Sequence, residues 1–529
     1  MRLFLWSLTS ALAGFLFGFD TVVISGAEQT IQSLWGLSDG VHGLAMSMAL
    51  WGTVIGSVIG GFPTEAIGRK KTLLSIGVLY LVSAIWSAMA GGPVSFMIAR
   101  LIGGVGVGVS TVAAPMFIAE IAPAAVRGRL TALFQFNIVL GIVVAFLSNA
   151  LIGSIDSIGD DAWRWMMGVE AIPAVIYTAM CLTLPESPRW LITRRGNTAA
   201  AAKVFARSQP DLAPEQVDNL VRSISNNDAA DSGTDQPFWT PRLKTPILIA
   251  FLVAFFNQLS GINAILYFAP RIFSLTGISD EVARLQAIGI GVVNLIFTFV
   301  GLYLIDRAGR RTLLLIGSVG YIISLGLCAL VFAINAASFN IAASAIDLQT
   351  KLSTGAETAV VDDALADLQT SLDDAGLTEP DLRLVEPEQL PATADFYLRQ
   401  ASESAGDAGF IVLVCIFAFI ASHAVGQGAV IWVLISEVFP NRHRAAGQSL
   451  GSFTHWIFAA LLTLIFPVAV GNLPPAIIFG FFALMMMLQL AWVMTMVPET
   501  KGVSLEAIQR QLGVSDDPII GQTATGATS

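Results

Sequence analysis

The sequence predicts an all-α polytopic membrane protein with twelve transmembrane helices in two pseudo-symmetric six-helix halves. Three observations carry this. Charged residues make up 12% of the 529 and hydrophobic residues 55%, whereas a soluble domain carries roughly 25% charged residues. Apolar runs of about 20 residues, long enough to cross a bilayer, recur from end to end. An acid-x-x-Gly-Arg-basic pattern occurs twice, as EAIGRK at 65–70 and DRAGRR at 306–311, after the second and the eighth run.

In chain order the runs lie near 3–25, 44–66, 72–90, 95–119, 130–151, 165–184, 245–268, 285–305, 312–334, 409–435, 447–470 and 476–497. The first could be read as a signal peptide, but it is long, contains Asp20 and is needed to complete the repeat. Connecting segments alternate in charge. One set carries Arg69-Lys70-Lys71, Arg127 and Arg129, Arg189, Arg194 and Arg195, Arg307, Arg310 and Arg311, and Arg442 and Arg444. The other set, 26–43, 91–94, 152–162 and 471–475, has almost no Lys or Arg. The positive-inside rule places the basic set, with both termini, in the cytoplasm.

These features divide the chain into an N-terminal six-helix bundle (1–185), a linker (186–244), a C-terminal six-helix bundle (245–498) and a cytoplasmic tail (499–529). Short surface helices are expected at 198–206 and 213–225. Residues 339–408 form an extracytoplasmic insert between helices nine and ten. Val361, Leu365, Leu368 and Leu372 share one helical face there. Residues 341–410 hold 14 acidic and 3 basic residues, so the chain's net charge of −10 belongs to this insert and implies no nucleic-acid partner. Cys181, Cys328 and Cys415 each lie in an apolar run, which argues against a disulfide framework. His42, His423, His443 and His455 lack zinc-ligand spacing, and neither metal nor cofactor is expected. GGVGVGVS at 103–110 lies inside an apolar run, so it is no phosphate loop. Gly104 and Gly108 read instead as a close helix-packing face.

A second duplicated spacing supports the two halves: Glu120, Pro123 and Arg127 after helix four, and Glu437, Pro440 and Arg444 after helix ten. Parallel halves of this kind place a substrate site near the bilayer midplane between them. The clustered acids Glu65, Glu120, Asp306 and Glu437 could pair with Arg69, Arg127, Arg310 and Arg444 of the neighbouring half and lock the cytoplasmic side. Alternatively the basic loops only hold orientation.

The motifs GFDTVVISG (18–26), PMFIAEIAPAAVRG (115–128), PESPRWL (185–191), NQLSGINAILYF (257–268), DRAGRR (306–311), WVLISEVFP (432–440) and PETKG (498–502), with Arg100 and Gly103 opening helix four, resemble the sugar porter family of the major facilitator superfamily. The resemblance is strongest to bacterial proton-coupled monosaccharide symporters and covers essentially everything except 339–408. It implies the twelve-helix major facilitator fold and movement of a hexose or pentose by alternating access. There are departures. Glu65-Ala66 stands where the family has Asp-Arg. Asn257-Gln258 replaces paired glutamines. His455 precedes Trp456 where glutamine or asparagine is common.

A sugar needs neutral donors and acceptors and aromatic surface for its C–H face. Gln135 and Asn137, Asn257, Gln258, Asn263, Asn294, Trp432, His455 and Trp456 offer both from within the runs. Gln258 and Asn263, about 140° apart on a regular helix, could border one cavity. By the resemblance, Phe17, Gln135, Gln258, Asn263 and Trp432 line the sugar site. The competing role for intramembrane amides is to join helices. Asp20 is a costly charge in hydrocarbon. Its expected partner is Arg100, read as the only other plainly intramembrane charge and at similar depth. Sugar porters with an acid here resemble proton symporters, so Asp20 is the expected proton carrier. A fixed ion pair is the alternative. A passive facilitator and a non-transporting sensor remain as other readings, and no nucleophile–base pair supports an enzyme. The expected setting is a bacterial inner membrane, with sugar, proton and bilayer as partners and a monomer as the working unit.

Overall fold

The computed structural model describes residues 2–210, 212–231, 237–353, 358–377, 381–440, 443–503 and 505–514. Among these, every regular element is a helix. Twelve are long and apolar enough to cross a membrane: Arg2–Gly26, Asp39–Ile59, Arg69–Ala88, Pro93–Ile121, Val126–Gly153, Ala162–Leu182, Pro241–Tyr267, Asp280–Ala308, Arg310–Ile334, Ala408–Val438, Arg444–Asn472 and Pro475–Met496. They are called spans one to twelve. Ile176, Phe299, Ile323 and Leu484 on spans six, eight, nine and twelve are exposed, as expected of side chains that face lipid.

Most boundaries fall close to the apolar runs. Span two differs: the run extends to 66, but the helix ends at Ile59 and Gly61–Ala66 forms a separate short helix. Gly60-Gly61 bends cheaply, and Pro63 has no N–H to carry the ladder across. Spans seven and ten also differ, because each is interrupted. In span seven, Lys244–Leu259 gives way to Ile262–Tyr267 at Gly261, whose φ is +87°. A further short helix, Ala269–Ser274, follows. In span ten, Ala408–Val425 and Gln427–Val438 meet at Gly426. Apolar periodicity reports burial and not φ, so neither break was visible as a gap in the pattern.

Span two packs on span four through glycine. A Cβ at Gly104 would run into the Ala49 carbonyl oxygen, and one at Gly108 into Thr53, while Gly52 and Gly56 face Leu101 and Val105 in return. This is the close packing face expected of Gly104 and Gly108.

The linker contributes Thr198–Ser208 and Pro214–Asp231, with a small apolar core of Ile192, Ala201, Phe205, Val217 and Val221. The insert is more ordered than one amphipathic stripe suggested. Ala336–Ser353, Thr358–Asp374 and Leu390–Ala405 pack as three helices. Their core includes Leu348, Leu365, Leu368, Leu372, Ala394 and Tyr397, with Val361 at its edge. Gly277, at φ +75°, lies against Ala342, so the first insert helix rests on the turn that follows span seven.

Thr370 is exposed on the insert, and Cys181, Cys328 and Cys415 are all buried. A Thr370→Cys variant should therefore react with a membrane-impermeant maleimide in intact spheroplasts. Labelling that appears only after lysis would put the insert on the cytoplasmic side.

Candidate functional site

The first half buries a charge cluster. Asp20, late in span one, and Arg100, early in span four, are each almost wholly buried. Arg100 Nη1 donates to Asp20 Oδ1 at 2.5 Å, and Nη2 donates to the Asp20 backbone oxygen at 2.9 Å. The approach needs Gly103. A Cβ there would strike Ser83, whose hydroxyl donates to the Ala99 carbonyl. The pairing expected from depth is thus present.

Arg100 is, however, not the only other charge in the neighbourhood. Glu170 of span six is also buried. Its carboxyl lies in electrostatic reach of Asp20 and Arg100, and its Oε1 has no hydrogen-bond partner. Sequence reading passed over it because it sits in the middle of a run that still averages apolar. Tyr80 of span three and Tyr267 of span seven lie within electrostatic reach of the same pair.

The second half supplies neutral groups. Gln258 lies at the end of the first segment of span seven. Its Nε2 donates to Asn257 Oδ1 at 2.9 Å, and its Oε1 accepts from Asn263 Nδ2 at 2.7 Å. A regular helix would hold residues 258 and 263 on different sides. The left-handed turn at Gly261 brings them together. Gln258 Nε2 also lies 3.1 Å from both ring nitrogens of His455. A donor equidistant from two ring nitrogens makes no linear bond to either, so this contact is weak and replaceable. His455 in turn packs on Trp432 at 5.2 Å and Trp456 at 4.6 Å between centroids, and Trp456 meets Phe17 of span one edge-on at 5.4 Å. The indole Nε1 of Trp456 is buried without a protein partner.

The structure therefore joins Phe17, Asn257, Gln258, Asn263, Trp432, His455 and Trp456 in one chain of contacts. Gln135, half-buried on span five, and Asn294 on span eight stand outside it. Asn294 Oδ1 accepts from Thr298 of its own helix at 3.5 Å. Asn137 Nδ2 likewise donates to the Leu133 carbonyl at 2.8 Å, the helix-bound role open to any intramembrane amide.

The repeated spacings at the basic face form duplicated clusters. Arg69 binds Glu120 through Nε at 3.0 Å and Nη2 at 2.8 Å, and Glu65 through Nη2 at 2.7 Å. Arg310 binds Glu437 at 2.9 Å and Asp306 at 3.1 Å. Ser187 closes on Glu120 at 2.5 Å as Thr500 closes on Glu437 at 2.6 Å. The expectation of pairing between halves is not met. Among the described residues, the ion pairs of these clusters stay within one half or reach the linker. Arg444 donates to the Ser436 carbonyl at 2.8 Å, and Arg127 is exposed; Arg442 lies outside the described residues. The reason is reach: Arg69 and Arg310 each begin the helix that follows their own acid-x-x-Gly turn, so the nearest carboxylates are those of their own half.

Where Ala66 replaces arginine, the linker's Arg194 reaches Glu65 at 2.9 Å. Burial by itself would raise the Glu65 carboxyl, but bonds from Arg194 and Arg69 outweigh it and hold the group below its ordinary value.

Two further carboxylates were hidden inside the PESPR and PETKG motifs. Glu186 Oε1 accepts the backbone N–H of Arg69 at 2.8 Å and of Lys70 at 3.1 Å. Glu499 accepts those of Arg310 at 2.9 Å and Arg311 at 3.1 Å. Each caps the open N-terminus of a span, where unpaired N–H groups and the helix dipole favour an anion. Gly68 and Gly309, at φ +92° and +96°, lack the Cβ that would collide with these carboxylates.

The model of the family described as "Sugar (and other) transporter" matches residues 6–347 and 392–512. The chain belongs to the sugar transporter family. The gap in the match falls inside the insert. The family member is 30% identical over 508 residues to an arabinose-proton symporter of Bacillus subtilis, covering 95% of this chain and 94% of the relative. It is 27% identical to the D-xylose-proton symporter of Escherichia coli, covering 95% and 94%. A partially occluded inward-open structure of the E. coli xylose transporter XylE matches with a TM-score of 0.70 at 27% identity, over 95% of this chain and 99% of that one.

Replacing either capping carboxylate should destabilise the fold. Glu186→Ala and Glu499→Ala should each cost about 0.5–2 kcal/mol, the range of a lost helix cap, read as a lower thermal unfolding midpoint in detergent. An unchanged midpoint in both would show that water caps these helices equally well.

Proposed function

We propose that the chain is a proton-coupled monosaccharide symporter working by alternating access. In this reading the basic face is cytoplasmic, with both termini, in a bacterial inner membrane, and the monomer suffices. The observation that carries it is Asp20, Arg100 and Glu170 together in the apolar interior. Two buried carboxylates and one guanidinium leave one carboxylate without a counter-ion, so the site has a place for a proton.

The sugar would lie against the chain of contacts between the halves. The amides of Asn257, Gln258 and Asn263 would exchange their mutual bonds for sugar hydroxyls. The loose Gln258–His455 contact is the first to be replaced, and the unpartnered Trp456 Nε1 is a donor in waiting. Phe17, Trp432 and Trp456 would cover the C–H face, with Gln135 and Asn294 closing from spans five and eight. A proton arriving from outside binds Asp20 and removes the charge that holds Arg100. Tyr267 feels both groups and lies one turn from Asn263, so occupancy of the proton site and of the sugar site bear on one short helix. Release of the proton inside restores the ion pair. The relatives named for arabinose–proton and xylose–proton symport support this reading.

One observation favours a second reading. The bond from Arg100 to the Asp20 backbone oxygen survives protonation, as a fixed structural pair requires. The protein would then be a passive facilitator with the same sugar site.

Purified protein in proteoliposomes, offered a sugar panel with internal pH recorded, separates the two. Sugar entry should acidify the lumen, and no sugar-linked pH change would favour the facilitator. Asp20→Asn should still bind and exchange sugar but should not accumulate it. Because Arg100 loses its partner, monodispersity is checked first. Accumulation driven by an inward proton gradient in Asp20→Asn would remove the coupling role. Gln258→Ala should weaken sugar binding about two- to tenfold, the worth of one neutral hydrogen bond. Trp432→Ala should weaken it through lost ring contact. Parent-like affinity in both would place the sugar elsewhere.

A further inference from the structure

Among the described residues, one ion pair joins the two halves, and it lies away from the basic clusters. Glu28 opens the short helix Glu28–Leu34 that follows span one. Arg271 lies on Ala269–Ser274, beyond the break in span seven. Arg271 Nε donates to Glu28 Oε1 at 2.9 Å, and Nη2 donates to Oε2 at 2.8 Å, the bidentate geometry in which such pairs are strongest. His42 Nε2 lies 2.8 Å from Glu28 Oε2, and Gln32 accepts a further bond from Arg271. Glu28 and His42 are fully buried. The His42 ring also meets Phe268 of the other half at 6.3 Å. Its Nδ1 has no partner, which suits a neutral ring donating through Nε2, since a second proton would bury an unsatisfied N–H.

Both ends of the pair lie past the ends of odd-numbered spans, on the face opposite the basic clusters. The basic-face pairs, by contrast, leave the halves untied there. We propose that Glu28 and Arg271, seated by His42 and Gln32, are a latch between the halves that holds the extracytoplasmic side of the transporter shut. The assignment rests on the alternating-access reading given above. The latch must break whenever that side opens, so it biases the resting protein towards the inward-facing state.

The charges around the latch predict its pH behaviour. Facing Glu28 are Arg271 from span seven's extension, His42 from span two and Gln32 from its own helix, with Asp39 behind Gln32 at 3.0 Å. Burial would raise the Glu28 carboxyl, but Arg271 and His42 outweigh it and hold the group below its ordinary value. A carboxylate depressed in the closed state favours closure at pH above the ordinary carboxylate range. That preference fades only as the pH falls through the lowered value. The latch is therefore a constant bias across the neutral range and not the proton sensor.

The test uses spin labels at Thr30→Cys, two residues from Glu28, and Ser279→Cys, on the turn between spans seven and eight, both exposed and on opposite halves. Distances are read by double electron–electron resonance in full-length solubilised protein without sugar or proton gradient. The parent should give a short-distance population, and in Asp20→Asn, which removes the proton site, that population should be unchanged between pH 7.5 and 5.5. Glu28→Gln and Arg271→Gln should each move the ratio of long to short distances by roughly 5–150-fold, the usual span of coupling between states. Gln32→Ala, which keeps the ion pair, should do so in the same direction by less and serves if the charge variants misfold. Folded charge variants with the parent's distances would reduce the pair to a structural contact and overturn the latch. An Asp20→Asn variant that still opens between pH 7.5 and 5.5 would overturn the constant bias in favour of a histidine switch. Because no transport is measured, failure here is separable from failure of the coupling carried by Asp20.

Discussion

The first half of the molecule is organised around an ion pair that hydrocarbon does not tolerate unpaired. Breaking a buried charge pair by removing one partner costs about 3–5 kcal/mol, so the helices that hold Asp20 and Arg100 have little freedom in how they meet. Gly103 is small because Ser83 passes beside it. Glu170 and the phenols of Tyr80 and Tyr267 lie within electrostatic reach of the pair. Spans one, three, four, six and seven are thereby drawn to one point, and span five follows because Gly18 and Gly141 let it lie against span one backbone to backbone.

The scaffold is duplicated and its chemistry is not. At the basic face the halves repeat down to single hydrogen bonds: Glu186 and Glu499 on helix N-termini, Ser187 and Thr500 on the partner carboxylates, Gly68 and Gly309 in the turns. These features serve the backbone, which has the same unsatisfied N–H groups in each half. In the interior the halves diverge. Ionisable groups gather in the first, and neutral amides with indoles in the second. Separate placement suits two cargoes of different kind. A proton site needs a charge whose desolvation is offset by a counter-ion. A sugar site needs donors and acceptors that can exchange partners at little cost.

What could be read from the sequence follows from what each signal measures. Mean hydropathy and charge alternation report the bilayer, and the twelve spans and their order emerge from them within a few residues. Depth along antiparallel spans was enough to pair Asp20 with Arg100. Backbone torsion leaves a weaker trace. Gly261 and Gly426 were two glycines among 48, and only the structure shows that they break spans seven and ten. Charge within a run is easily averaged away, as with Glu170. Partners distant in sequence leave no trace at all. Nothing in APRIF around Arg271 or in GAEQ around Glu28 points to the other. The amide cluster was legible as chemistry, but its direct Gln258–Asn263 bond required the kink at Gly261.

Span seven's second part explains how separate sites could act together without a wire between them. Asn263, Tyr267 and Arg271 are spaced four apart, so they follow one stripe of a nearly continuous helix. Phe268 N–H still bonds the Ala264 carbonyl, and Ile272 N–H the Phe268 carbonyl, across the junction. At 1.5 Å per residue the stripe is about 12 Å long. Along it the amide cluster, the Asp20–Arg100 pair and Glu28 are met in turn. A ligand shifts a conformational equilibrium only by its differential affinity for the two states. An element that bears on three groups makes each of them part of the same difference. The left-handed residue at its base, Gly261, packs directly on Phe482 of span twelve, so rotation there moves all three stations against the first half at once.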